Sequence, residues 1–171
     1  MRLTGVELVR VALTFSNQIG TAAGVHRSRP VLYVRVVAGE SEGWGECAAL
    51  GEATAVDPAL DEVEALAAGR AVPRLCEASA ARQGELPRAA EVPQLFGSSP
   101  ADRMLAAAFE MAVADAELRE DGRSLAASLG TGPGFETLPV GAVVGIPADR
   151  DLGRQLDSGQ IGLVLTRLAQ T

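Results

Sequence analysis

The chain has 171 residues and a formal net charge of −7, and all of its basic residues are arginines. An acidic chain has no positive footprint for nucleic acid. Without lysine there is no Schiff-base nucleophile and no lysine general base, because a guanidinium stays protonated. Aromatic residues make up only 4% of the chain against 47% apolar, so the core must be built largely from Ala, Val and Leu. Two cysteines, Cys47 and Cys76, are too few for a disulfide framework at this length and read as free thiols. Arg2, Glu7 and Arg10 interrupt any apolar leader, and no apolar run reaches a membrane span of about 18 residues. The expectation is a soluble cytoplasmic protein without nucleic-acid or membrane partners.

Residues 3–15 have extended character, with Val6 and Leu8 on one face and Val9, Val11 and Leu13 on the other. Residues 16–30 hold Gly20, Gly24, several hydroxyl residues and Pro30, and read as a long loop. Residues 31–37 form the clearest strand. A polar turn with two glycines follows, and residues 44–48 return as a third strand. The result is an antiparallel meander. Its third strand, Gly43-Trp44-Gly45-Glu46, poses a question. Glycine weakens a strand and marks a bulge or a close approach by another backbone, so something should approach here. Trp44 is expected to be at least partly buried against the helices.

The pattern changes at Asp57-Pro58, which reads as an N-cap followed by proline at the first helical position. Ala59, Val63, Leu66 and Ala67 then recur at helical spacing. Two shorter helical pieces are expected between Pro73 and Phe96, broken by Gly84, Pro87 and Pro93. Ser99-Pro100-Ala101-Asp102 opens the best helix, with Asp102 where a capping box wants an acid. Met104, Ala108, Met111 and Leu118 lie on one face, beside Leu105, Phe109 and Ala112. Gly122 ends this helix. A short helix from Ser124 to Leu129 is closed by Gly130. Residues 138–146, LPVGAVVGI, read as a strand apolar on both faces, as in a buried parallel sheet.

Meander, helical bundle, then buried strand resembles the enolase superfamily in its order. GWGEC resembles the end of the third strand of the superfamily's N-terminal capping domain. FEMAVADAELREDGRSLAASLG resembles the helices leading to its barrel, and LPVGAVVGI the first barrel strand. Within the superfamily the wording is similar to the o-succinylbenzoate synthase and N-acylamino acid racemase group. The resemblance covers about residues 1–147. It implies an α+β capping domain over residues 1–137, with a three-stranded antiparallel meander and a helical bundle. The start of a truncated (β/α) barrel would follow over 138–171. It further implies that two loops close over the open end of the barrel. Gly20, Thr21 and Ala22 would belong to one, and Ala48, Ala49 and Leu50 to the other, and what approaches Trp44 would be the barrel mouth with its substrate.

The parent activity implied is a Mg²⁺-dependent dehydration giving o-succinylbenzoate on the way to menaquinone, a lyase reaction. N-acylamino acid racemization is the alternative. Family chemistry needs lysines on the second barrel strand and three acidic Mg²⁺ ligands on the next three. Residues 162–168 read GLVLTRL and carry neither, and a whole barrel takes about 250 residues. No catalytic residue, metal ligand or cofactor is therefore expected in this chain, and activity is not expected from it alone. A small-molecule substrate would be a partner only with a barrel supplied, and a homo-oligomer is admitted. From another class, the chain would be a non-catalytic stand-alone capping or binding module. The other polar residues read blandly. His26 is a surface residue, Glu46 a hairpin-end carboxylate bound to backbone, and Asp115 a structural partner for an arginine.

Overall fold

The structure, a computed structural model, describes residues 1–21 and 24–130. The strand expected at 138–146 and the tail to residue 171 lie outside the described residues. The described chain falls into two units, one of residues 1–13 with 29–130 and one that includes residues 14–21 and 24–28.

Three strands form one antiparallel sheet in the order β1-β2-β3: β1 Leu3–Thr21, β2 Gly24–Ala38 and β3 Ser41–Cys47. The expected loop over 16–30 is corrected. Apart from Ala22 and Ala23, which are not described, these residues are strand. Ladder hydrogen bonds belong to the backbone, so a hairpin extends without an apolar face to announce it. Val6 and Leu8 turn toward the core, while Val11 and Leu13 are exposed.

β2 and β3 meet at a tight turn through Gly39, whose φ of 63° suits a residue without Cβ. In their register Leu32, Val34 and Val36 face Cys47, Gly45 and Gly43. These residues share the buried face. Trp44 and Glu46 point the other way and are exposed.

Helix α1 spans Leu60–Leu66. It starts later than the Asp57-Pro58 signal because Thr54 Oγ1 accepts the Val56 and Asp57 amides at 3.2 and 2.9 Å, making a turn of its own. The run then continues as a π-helical turn, Ala67–Ala71, into α2, Val72–Ala80. Pro73 therefore does not break the helix. It lacks an amide proton, and a widened turn just ahead of it accommodates that gap. A 3-10 turn, Ala89–Leu95, carries Pro93. It is fixed by Glu91, which accepts the Arg88 amide at 2.8 Å and both Arg82 guanidinium nitrogens at 2.9 Å.

Helix α3, Pro100–Glu120, begins as the sequence indicates. Ser99 Oγ accepts the Asp102 amide at 3.1 Å, and Pro100 takes the first turn. Gly122, at φ 62°, closes it, with the Arg123 amide bonded to the Leu118 carbonyl at 2.9 Å. The short helix α4, Leu125–Ser128, is capped by Ser124.

The buried face of α3 is Ala101, Leu105, Ala108, Phe109, Ala112, Val113 and Ala116, whereas Met111 is 44% exposed. The expected phase through Met111 is thus rotated. The cause lies in β3. A Cβ placed on Gly45 would sit 1.9 Å from the Ala108 carbonyl oxygen, and one on Gly43 would sit 2.0 Å from that of Ala112. Backbone packs on backbone, so alanines face the strand and the larger Met111 turns outward. The partner that approaches the glycines is α3, and Trp44 lies on the sheet's opposite face rather than against the helices.

Gly45→Ala should therefore destabilise the fold by at least about 1–3 kcal/mol, since the clash is with backbone that no rotamer relieves. Gly69→Ala, where an added Cβ meets nothing within 4 Å, should stabilise it by about 0.5–1 kcal/mol. Thermal melts of the two variants check the contrast. A Gly45→Ala melt at or above that of the parent chain would contradict the packing.

Candidate functional site

The buried-exposed alternation of β3 runs past its end. Gly43, Gly45, Cys47 and Ala49 are inward, while Trp44, Glu46, Ala48 and Leu50 are outward. Ala49 belongs to the core. Its amide donates to the Cys47 thiol, but burial is the larger influence and pushes that thiol's pKa up. Leu50 is held from the other side, its carbonyl accepting the Leu60 amide at 2.7 Å. Gly51 packs on Pro30, where an added Cβ would lie 3.0 Å from Cγ. The segment from Ala48 to Gly51 is thus a short, small-residue loop pinned at several points.

Arg29 supplies the polar side-chain contact to this loop. Its Nη2 donates to the Ala48 carbonyl at 3.4 Å and lies 3.8 Å from Glu46 Oε1. Glu46, expected to bind backbone, is exposed and pairs with this arginine. Arg29 Nε is buried without a hydrogen-bond partner. Hairpin register alone brings Arg29 here, since Leu32 pairs with Cys47 and the residues just before and after them approach the same end. Of the other loop residues expected to act together, Gly20 and Thr21 fall in β1 within the second unit, and Ala22 is not described. His26 is exposed on β2.

The outer sheet face carries an aromatic and charged cluster. Trp44 is 37% exposed, meets Tyr33 edge-on at 6.5 Å and lies under the Arg35 guanidinium at 5.6 Å. Its Nε1 donates to Glu42 at 3.1 Å, and Arg35 bonds both Glu42 and Glu7. On the free edge of β3 the Trp44 amide donates to Asp115 Oδ2 at 3.0 Å, which also accepts Arg119 Nε at 3.0 Å. The arginine partner expected for Asp115 is present.

A cleft of about 330 Å³ lies between Thr54-Val56-Asp57-Pro58 and the start of α3. Arg70 on its wall is tied to Asp102, whose side chain is only 8% exposed. Asp102 also accepts Ser99 Oγ at 2.7 Å. The serine hydrogen bond first, and the Arg70 charge after it, hold the Asp102 carboxyl below its ordinary value despite desolvation. Among the described residues no three His, Cys, Asp or Glu side chains come together as a metal site, and no helix is long and apolar enough to cross a membrane.

No family model matches the chain. It is 35% identical over 170 residues to an N-succinylamino acid racemase from Amycolatopsis, covering 96% of this chain and 44% of that protein. A probable mandelate racemase from Alicyclobacillus acidocaldarius superposes with TM-score 0.66 at 30% identity, over 77% of this chain and 35% of that one. An enolase-superfamily member from Listeria innocua shares the fold, with TM-score 0.74 at 22% identity over 94% of this chain and 41% of that one. The chain is similar in sequence to part of these racemases, and its sheet and helices have the fold of the N-terminal capping domain of enolase-superfamily proteins. It spans 44% of the length of the curated relative it matches.

Asp102, Glu91 and Glu42 all have pKa values lowered by hydrogen bonds, from Ser99, Arg82 and Arg35 respectively, as their largest cause. A lowered carboxylate stabilises the fold above its unfolded value, 3.8 for Asp and 4.5 for Glu. That contribution is lost as pH falls through the folded values. Melting temperature should be flat down to about pH 5 and then fall toward about pH 2. Asp102→Asn should flatten part of that acid limb. An acid limb unchanged in this variant would remove Asp102 from the account.

Proposed function

We propose that the chain is the capping part of an N-succinylamino acid racemase-type enzyme, covering the open end of a (β/α) barrel that carries the chemistry. The observation that carries this reading is the 35% identity to the Amycolatopsis racemase over 96% of the chain. In it, Ala48, Ala49 and Leu50 form a segment that closes over the substrate and excludes water, as lids do, and the resemblance assigns a closing role of its own to Gly20, Thr21 and Ala22. Ala48 and Leu50 face outward and are the side chains of the second segment available for contact. Ala49 contributes through its backbone.

In this reading proton transfer at the substrate falls to lysines of the barrel, and this chain has none. Among the described residues no group of His, Cys, Asp or Glu side chains could hold a Mg²⁺ ion; the barrel would supply its ligands, and the ion would there stabilise negative charge developing on the substrate. A second reading, dehydration to o-succinylbenzoate, rests on the likeness of GWGEC and of the α3–α4 stretch to the synthases. Both reactions act on small molecules bearing succinyl groups, so the lid would serve either.

The chain alone, supplied with Mg²⁺, should give no turnover above a protein-free control. A chimera with residues 1–130 in place of the matching part of the Amycolatopsis racemase should racemize N-succinylamino acids, with KM altered more than kcat. Chelator-sensitive turnover by the chain alone would contradict the proposal. So would a folded chimera inert toward both N-succinylamino acids and the synthase substrate.

A further inference from the structure

The loop from Ala48 to Gly51 has no side chain able to fix its own backbone. Ala48, Ala49 and Gly51 offer a methyl group or nothing, and Leu50 is exposed. Its position is therefore imposed from outside. Leu60 holds the Leu50 carbonyl, Pro30 covers Gly51, and Arg29 reaches the Ala48 carbonyl. Of these three, Arg29 acts nearest the end of β3 and has the poorest geometry. Its contacts are long, at 3.4 Å to the carbonyl and 3.8 Å to Glu46, and its Nε is buried without a partner.

We propose that Arg29 is a positioning residue. It holds the Ala48 carbonyl so that Ala49 stays in the core over Cys47 while Ala48 and Leu50 face outward. Its effect on substrate selection rests on the capping reading above. The clamp itself does not, and it is measurable in this chain without any activity.

Cys47 reports on it directly. Its thiol is fully buried, is followed at once by the loop, and accepts the Ala49 amide. Opening the loop should uncover it. In a Cys76→Ser background, which removes the exposed thiol, alkylation of Cys47 by iodoacetamide is measured under native conditions. Arg29→Ala should raise the rate at least tenfold. Arg29→Lys, which keeps a charged donor, should restore most of the protection, and Glu46→Gln should stay near the parent rate. Arg82→Ala, which breaks the distant pair with Glu91, controls for general loosening. The proposal is overturned if Arg29→Ala leaves the rate unchanged. It is equally overturned if Arg82→Ala raises the rate as much for the same loss of melting temperature. If Arg29→Ala fails to fold, Arg29→Met, which keeps an apolar stem and has no donor, takes its place. A severalfold increase that Arg29→Lys does not show supports the clamp, and an unchanged rate rejects it.

Discussion

The backbone of α3 lies directly on the backbone of β3, and that contact exists only because residues 43 and 45 have no side chains. Ala108 and Ala112 present their carbonyl oxygens where a Cβ would otherwise be. Interiors are packed closely enough that a single added carbon is felt. Here it would meet main chain, which cannot move aside as a side-chain end can. The rest of the first unit follows from this. The free edge of β3 is covered by α3, with Asp115 accepting the Trp44 amide and Glu120 the Ser41 hydroxyl. An edge protected in this way does not offer itself to another strand. The alternation set by the glycines also decides that Trp44 faces outward, that Cys47 and Ala49 face inward, and that Ala48 and Leu50 are presented.

A second constraint fixes where α3 begins. Asp102 is shared between its own cap, Ser99, and Arg70 on the preceding helical run. Gly97 leaves room for its carboxylate, since a Cβ there would lie 2.6 Å from Oδ2. Helix start, helix pairing and the wall of the 330 Å³ cleft are therefore set by one buried carboxylate. Arg10, bonded to Asp61 and Glu64 at 2.7 and 2.8 Å, ties β1 to α1 more loosely at the surface. The cleft's charged wall is engaged in holding helices together.

Much of this was legible in the residues. Ser99-Pro100 and Gly122 bound α3 as capping chemistry requires, and the β-branched run of β2 with its glycine turn defined the hairpin. The extension of β1 and β2 through residues 16–30 was not legible, because ladder pairing needs no apolar pattern. The phase of α3 was misread for a related reason. Hydrophobicity favours burying Met111, but a glycine strand demands alanine, and that demand comes from another element. The side on which Trp44 lies was available in principle, since strand period two puts it opposite Gly43 and Gly45. The loop residues proposed to cover a substrate came from family likeness, and Arg29 lay hidden beside Pro30 until hairpin register was known.

The contact between β3 and α3 is tested most directly by proton–proton cross-relaxation in the chain in solution. Both α-protons of Gly45 bear on the question, because one of them occupies the place a side chain would take. The account predicts strong cross-peaks from a Gly45 α-proton to backbone protons of Ala108 and Ala112, and from Gly43 to those of Ala112 and Ala116. Cross-peaks from these glycines to Trp44's neighbours and water alone, with none to the α3 backbone, would contradict it.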